Sequence, residues 1–373
     1  MSPPRPEDHP EVARILAEAA TVSASSSAPV QHHTVPASYL ERWAENGVVS
    51  VTDLVDGRSF PSPPSKVSRE RHFYRLESED VPPLIVEVVL SRLEGFAKGA
   101  IDTLIDAPRT AWAQQHLTSE VFAEFATYLS YQLTRGRAFR EEQKAHIAWI
   151  QRTRVRGLKT RAEIRRFVET MAGRRISEEE LEVQVDFIKG LQEDTWRFAP
   201  TQDGAIAEAM QAGEEAFRYI AQRNWTVWKA PRVLLTSDEP ILRAPAPGDD
   251  RSLRGGLSPA PAIVFPLDPG TLLVMFAPWA PEEVAVPGEL DLATAMGVNR
   301  EMGANAWRYV FGRPTLRHGD RLRLPARRPP IEHEIVARDP DGSELVRMGM
   351  PTRWASTSDV PPWPVPEWWW PGA

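Results

Sequence analysis

Residues 82–106 read PPLIVEVVLSRLEGFAKGAIDTLID. In this stretch Leu84/Ile85, Val88/Val89, Leu93, Phe96/Ala97, Ala100/Ile101 and Leu104/Ile105 recur every three to four residues. That spacing predicts a helix of about 22 residues with one continuous apolar face to bury. On its N-terminal side the texture differs. Pro36 is placed to start a short helix through Trp43. Val48, Val49 and Val51, an Asp56-Gly57 turn and Arg58–Phe60 then predict a β-hairpin too small to fold alone. On its C-terminal side the helical pattern continues. Residues 118–134 form a second helix capped by Thr118 or Ser119, and further helices are expected at 138–155, 160–172, 177–193 and 204–222. After Asn224 the pattern becomes β, with runs at 225–228, 233–235, 262–265 and 271–276. Residues 289–312 return to helix, and a last hairpin is expected at 331–349, turned by Asp339-Pro340-Asp341-Gly342. The order predicts an α+β fold: a central helical block flanked by β-hairpin and strand segments in one large domain, whose N-terminal hairpin can join the later strands. With no βαβα alternation, a doubly wound sheet is not expected.

Three regions follow from this. Residues 1–30 are an N-terminal helix, with Val12, Ile15, Leu16 and Ala19 on one face over 5–20, and a small polar linker, TVSASSSAPV. Residues 31–350 are the domain. Residues 351–373 are a tail rich in proline and tryptophan, holding Trp354, Trp363 and the triplet Trp368-Trp369-Trp370. Such a tail is extended. It can lie as a clasp over the domain or supply a contact for a homo-oligomer.

The 373 residues are 42% hydrophobic and 25% charged, with a formal net charge of −7, as in an ordinary globular chain. The absence of cysteine excludes disulfides, a thiolate nucleophile and Cys-ligated metal centres. Apolar runs such as Ala262–Phe265 are far too short to span a membrane. Glu11 and Glu18 interrupt what a secretory leader would need, so a cytoplasmic location is expected. Only six of the 44 basic residues are lysine. The arginine excess fits a GC-rich coding sequence, although forked guanidinium groups also suit phosphate and carboxylate.

Charge is segregated. Residues 134–175 carry 13 basic and four acidic side chains, and residues 177–194 follow with seven acidic side chains and Lys189. The Arg135–Arg175 region could track nucleic acid. Two adjacent helices of opposite sign can equally pair with each other.

Several motifs together resemble the bacterial domain of unknown function 4238. They are His33-Thr34-Val35-Pro36 with Tyr39-Leu40, Phe73-Tyr74, Gln132-Leu133-Thr134-Arg135, Thr236-Ser237-Asp238-Glu239-Pro240, Phe265-Pro266-Leu267-Asp268-Pro269 and Val298-Asn299-Arg300. Glu87 and Glu94 fall where that family tends to carry acidic residues. The resemblance spans about residues 31–312, and its implication is a fold boundary and a set of candidate residues rather than an activity. Two departures stand out. Arg135-Gly136-Arg137 replaces the family's Arg-Thr-Pro, and Glu239 replaces the asparagine of its Thr-Ser-Asp-Asn-Pro turn.

The candidate catalytic residues are His33, Asp238, Arg135 and Gln132, and Arg137, Tyr39, Ser237 and Asn299 are candidate substrate-binding residues. Imidazole titrates near neutrality and binds metals; His33 fits the family spacing, and His32 stays open as the alternative. Asp238 can act as a base or, with Ser237, cap a turn. Gln132, Arg135, Arg137 and Arg140 can clamp a phosphate, or can merely complement a helix C-terminus. Glu94 is the candidate metal ligand: with His33 and Asp238 it would suit a divalent ion, although no cofactor is required and Lys98 four residues on offers an ordinary ion pair. No Walker A loop, dinucleotide fingerprint or nucleophile elbow is present. Two functions are therefore expected. One is a hydrolase acting on a phosphate-containing substrate, of nuclease or phosphodiesterase type. The other is a non-catalytic binding or regulatory module using the Arg-rich helices or the tryptophan tail.

Overall fold

The computed structural model describes residues 10–110, 112–193, 195–196, 199–338 and 344–370. Its N-terminal elements are α1 (Pro10–Ala24), β1 (Gln31–His33), α2 (Ala37–Leu40), β2 (Val49–Asp53), β3 (Arg58–Ser62) and β4 (Arg69–Arg71). The helical block follows as α3 (Ile85–Asp106), α4 (Ser119–Thr134), α5 (Arg137–Arg156), α6 (Arg161–Ala172), α7 (Glu178–Gln192) and α8 (Gln202–Ala221). Then come β5 (Asn224–Lys229), β6 (Thr236–Ser237), β7 (Leu242–Arg243), β8 (Ala262–Asp268), β9 (Thr271–Phe276), α9 (Leu292–Asn305), β10 (Tyr309–Gly312), β11 (Ile331–Arg338) and β12 (Glu344–Gly349). The fold is mixed α+β. The chain divides into two compact units, one of Met1–Arg140, Gln202–Pro329 and Pro351–Ala373, the other of Glu141–Thr201 and Pro330–Met350.

The first unit is built on an antiparallel sheet of order β5-β9-β8-β7 that is buried on both faces. Trp225, Val227, Ile263, Phe265, Leu273 and Met275 pack in one core with the apolar stripes of α3, α4 and α8. The alternate residues Trp228, Val264, Leu272, Val274 and Phe276 pack in another with α9 and the C-terminal tail. Burial on both faces is why these strands read as unbroken apolar runs rather than as alternation. A second antiparallel sheet has the order β3-β2-β10-β6, so the N-terminal hairpin does join a later strand: Asp53 pairs with Tyr309 and Ser50 with Gly312.

Three sequence expectations change. The first helix runs on to Ala24, which shortens the linker. The helix expected over 289–312 ends at Asn305, because Ala306 turns extended (ψ 140°) and residues 309–312 become a strand between β2 and β6. Residues 233–235 are not a strand. Their backbone bonds go instead partly to the amide of Asn299, whose Oδ1 accepts from Leu235 N–H at 2.7 Å while Nδ2 donates to the Val233 carbonyl at 2.8 Å. They go partly to Pro269 and Trp43, with Leu234 N–H donating to the Pro269 carbonyl at 2.9 Å and the Trp43 indole donating to the Leu234 carbonyl at 2.8 Å. The 331–349 hairpin is present as the antiparallel pair β11–β12, and its expected turn at 339–342 lies outside the described residues.

The second unit holds most of the charge-segregated region. Val155, Ile164, Ile176, Leu181, Val185, Ile188 and Leu191 form its core. Capping boxes at Thr160/Glu163 and Ser177/Glu180 start α6 and α7. Across these helices Arg161 pairs with Glu178 and Glu182, Arg165 with Glu169 and Glu178, and Arg174 with Glu180. Three arginines of the basic track thus pair with the acidic helix beside it.

Candidate functional site

The expected site residues separate into two groups, both in the first unit. The first gathers on Arg135, at the C-terminal end of α4. Its guanidinium is buried. Nη2 donates to the His33 carbonyl at 2.6 Å and to Glu94 Oε1 at 2.9 Å, and the group lies 5.8 Å from the Tyr74 ring centre. Tyr74 returns the contact, its hydroxyl donating to the Arg135 carbonyl at 2.8 Å. One turn earlier, Gln132 Nε2 donates to the Thr34 carbonyl at 3.0 Å. These groups tie the end of α4 to β1 and to α3. Glu94 therefore faces Arg135. Arg137 forms an exposed pair with Glu70 at 2.8 Å.

The two neighbouring histidines differ. His32 is fully buried, stacks on Tyr74, and accepts the Tyr74 backbone N–H through Nδ1 at 2.8 Å. Its Nε2 lies 3.3 Å from the Pro29 carbonyl, which fixes the neutral ring with its proton on Nε2. His33 is half-buried, and its Nδ1 is enclosed without a partner. Burial, then Arg69 and Arg135, lower His33 to about 4. Two helical turns before Glu94, burial pushes Glu87 up to about 7 although Arg135 opposes it.

The second group surrounds the turn after β6. Asp238 is buried, and its carboxylate accepts the backbone N–H groups of Trp307, Arg308 and Tyr309 at 2.7, 2.7 and 2.9 Å. Burial and the adjacent Glu239 nonetheless raise it to about 6. Ser237 Oγ accepts the Glu239 N–H at 3.1 Å, a side-chain-capped turn. Glu239 reaches α5, where Oε1 accepts the Ala138 N–H at 2.9 Å, and Oε2 lies 3.4 Å from Arg254. A Cβ on Gly136 would stand 2.6 Å from that Oε1. The two departures from the resembled pattern, Gly136 and Glu239, therefore touch: the longer acid occupies the space a threonine side chain would need. Tyr39 is buried, its hydroxyl 2.8 Å from Thr236 Oγ1 and donating to the Pro266 carbonyl at 2.8 Å. Nearly every polar atom of this group holds backbone. Among the described residues, no set of three or more His, Asp or Glu side chains is arranged to hold a metal ion.

Neither group opens onto a sizeable cavity. A cleft of about 670 Å³ lies between β2, α9, the turn at 318–321 and the tail, with Thr52, Asp53, Arg300, Asp320, Arg323 and Trp354 on its walls. Its size suits a small-molecule ligand. Of these, the sequence placed Arg300 in the Val298-Asn299-Arg300 motif and Trp354 in the tail, but the motif's candidate was Asn299. Asn299 faces inward to the 233–235 segment, and the next residue on the helix falls on a different face. Arg300 is half-buried, its Nε is enclosed, and it has no hydrogen-bond or ion-pair partner among the described residues. Asp53, by contrast, is paired with Arg308 at 2.6 Å. Glycines fix the walls. A Cβ on Gly319 would meet Thr52 Oγ1 at 2.2 Å, one on Gly303 would meet Leu324 at 2.7 Å, and one on Gly297 would meet Pro364 at 2.5 Å.

Among the described residues no helix is long and apolar enough to cross a membrane. No curated protein and no solved structure matches the chain. One family model does, described as protein of unknown function (DUF4238), over residues 31–315. That range takes in β1 with its His33, the α4 end, the Asp238–Glu239 turn and α9 with Arg300, so the two motif groups and one wall of the cleft lie in the shared part of the fold, and the chain belongs to the DUF4238 family.

Proposed function

We propose that the chain is a binding module whose cleft takes a small ligand through a phosphate, phosphonate or carboxylate group held by Arg300. The observation that carries this reading is the guanidinium itself: half-buried on the wall of a cleft of about 670 Å³, with no hydrogen-bond or ion-pair partner among the described residues. A guanidinium offers a planar fork of donors that matches an oxyanion, and such charge-assisted bonds are roughly twice as strong as neutral ones. Arg135 and Asp238 are engaged within the fold. Nη2 of Arg135 bonds Glu94 and the His33 carbonyl, and the Asp238 carboxylate holds the backbone of 307–309.

Butylphosphonate, which cannot be hydrolysed at its P–C bond, is a suitable probe. Calorimetric titration should give saturable binding to the wild type and at least tenfold weaker binding to Arg300→Gln, a loss of about 1.4 kcal/mol or more. Equal affinity in the two proteins would sink the assignment. A phosphodiesterase or nuclease would be marked instead by turnover of labelled RNA or DNA that Arg300→Gln leaves unchanged and His33→Ala abolishes.

A further inference from the structure

We infer that β4 is an open edge that takes an acidic, extended peptide of a partner protein as a third strand beside the β1–β4 ribbon. None of the residues involved lines the cleft.

The ladder between the two strands fixes which way the backbone of β4 points. Gln31 lies opposite Arg71, His32 opposite Glu70 and His33 opposite Arg69. Just beyond the two ends, Thr34 N–H donates to the Ser68 carbonyl at 2.9 Å and His72 N–H to the Val30 carbonyl at 2.8 Å. These too are directly opposed residues, and in an antiparallel ladder bonded pairs alternate with unbonded ones. The bonded pair inside the ribbon is therefore His32 with Glu70, and the N–H and C=O groups of Arg69 and Arg71 point away from β1. The same alternation turns the His33 carbonyl outward on the other side, where Arg135 caps it at 2.6 Å. No such cap covers β4. Among the described residues nothing bonds the outward backbone groups of Arg69 and Arg71, and both residues are exposed. Ser68 (φ 51°) and His72 (φ 54°), both in the left-handed region, end the strand on either side. Thr34 holds the first bend, its hydroxyl 2.8 Å from Ser68 Oγ.

The side chains select the occupant. Arg69 and Arg71 alternate with Glu70, so both stand on one face, roughly 6.5 Å apart along the strand. Neither has an ion-pair partner among the described residues, whereas Glu70, on the opposite face, pairs with Arg137 at 2.8 Å. Pairing β4 with β4 of a second copy about Glu70 would set Arg69 against Arg71 twice, and like charges directly opposite are destabilising. A strand with carboxylates at alternate positions sets one opposite each arginine, while its main chain bonds the open edge. The two charges that deter self-pairing thus favour a partner of opposite sign.

The probe is a short peptide in which glutamate alternates with valine, beside its glutamine-for-glutamate analogue. Two further versions keep the charge and carry N-methyl groups. One is methylated on the glutamates, whose N–H groups would face β4, and the other on the valines, whose N–H groups would face away. By fluorescence anisotropy the glutamate peptide should bind at least tenfold tighter than the glutamine peptide. Methylation of the glutamates should remove binding, and methylation of the valines should leave it. The protein carrying both Arg69→Gln and Arg71→Gln, exposed changes that keep the melting temperature, should bind at least tenfold more weakly. Hydrogen exchange at saturating peptide should slow the Arg69 and Arg71 amides at least tenfold and leave that of Glu70, already bonded to His32, as it was. Equal binding of the two methylated peptides, or unprotected Arg69 and Arg71 amides, would overturn strand addition. Equal binding of the glutamate and glutamine peptides would overturn the acidic partner. If no peptide binds and a labelled single-stranded oligonucleotide binds through Arg69 and Arg71, the face serves phosphate and the proposal fails.

Discussion

His33 and its neighbours show how a residue legible as chemistry can be consumed by folding. The His-x-Val-Pro spacing drew attention to a histidine that could act or bind, and the structure keeps both rings neutral, His32 fully buried and His33 half-buried. Because His33 falls to about 4 in the fold from an ordinary 6.5, the unfolded chain binds more protons between those values. Its contribution to stability is full above pH 6.5 and is lost as pH falls toward 4. Glu87 has the opposite sign: raised to about 7 from 4.5, it contributes fully below 4.5 and loses that contribution as pH rises through 7. Urea denaturation of wild type beside His33→Gln should therefore show the wild type losing on the order of 2 kcal/mol relative to the variant between pH 6.5 and 4, after allowance for partial solvent screening. Beside Glu87→Gln the relative loss should appear on going up from pH 4.5 to 7. Parallel curves in either comparison would contradict the buried-site description. The sequence identified the residue types, and Asp238 likewise stood out, but it carried no sign of which backbone groups each side chain would serve. Those partners lie far along the chain: Tyr74 for His32, and 307–309 for Asp238.

At the scale of elements, the helices were the most readable part because their apolar spacing is local. The helices α3 to α8 lie close to the ranges their periodicity predicts. Short pieces whose identity depends on distant neighbours were not readable. Tyr309–Gly312 takes its strand form from β2 and β6, and 233–235 takes its irregular form from Asn299. The junction of α4 and α5 joins both lessons. Gly136 opens the space that Glu239 fills, and Glu239 caps the start of α5 through Ala138. Gly136→Ala should cost about 1–3 kcal/mol by overpacking against that carboxylate. In a Glu239→Asn background, whose side chain is one methylene shorter, most of that cost should vanish. A double-mutant cycle by chemical denaturation measures the coupling, expected at roughly 0.5–3 kcal/mol. Equal costs in both backgrounds would show that the two residues adapt independently. The cleft escaped notice at this scale for a related reason: its walls come from β2, α9, a turn and the tail, four stretches with no common motif.

For the first unit as a whole, the tail belongs to the core. Trp354, Trp363, Trp368 and Trp370 are buried; Trp369 is half-buried and donates its indole N–H to the Pro245 carbonyl at 2.8 Å. Trp368 packs edge-on against Trp228 of the central sheet. The proline-spaced indoles announced an extended clasp, and the small residues of α9, Gly297 above all, let it approach. Trp368→Ala should cost about 3–5 kcal/mol, against about 1 kcal/mol or less for Trp369→Ala, as read from urea midpoints. Similar losses would mean that the tail lies on the surface rather than within the core. The pairing of β2 with β10 has a consequence of another kind, in the timing of synthesis. Asp53 meets Tyr309, and at translation rates of about 5–20 residues per second the β2 edge waits roughly 10–50 s for its partner to be made. Throughout that interval a nascent chain presents an open strand beside Val49 and Val51, which become fully buried in the finished fold. Slow elongation, or a ribosome stalled before residue 309, should thus favour aggregation of the nascent chain, and the early hairpin is where a holding chaperone would act.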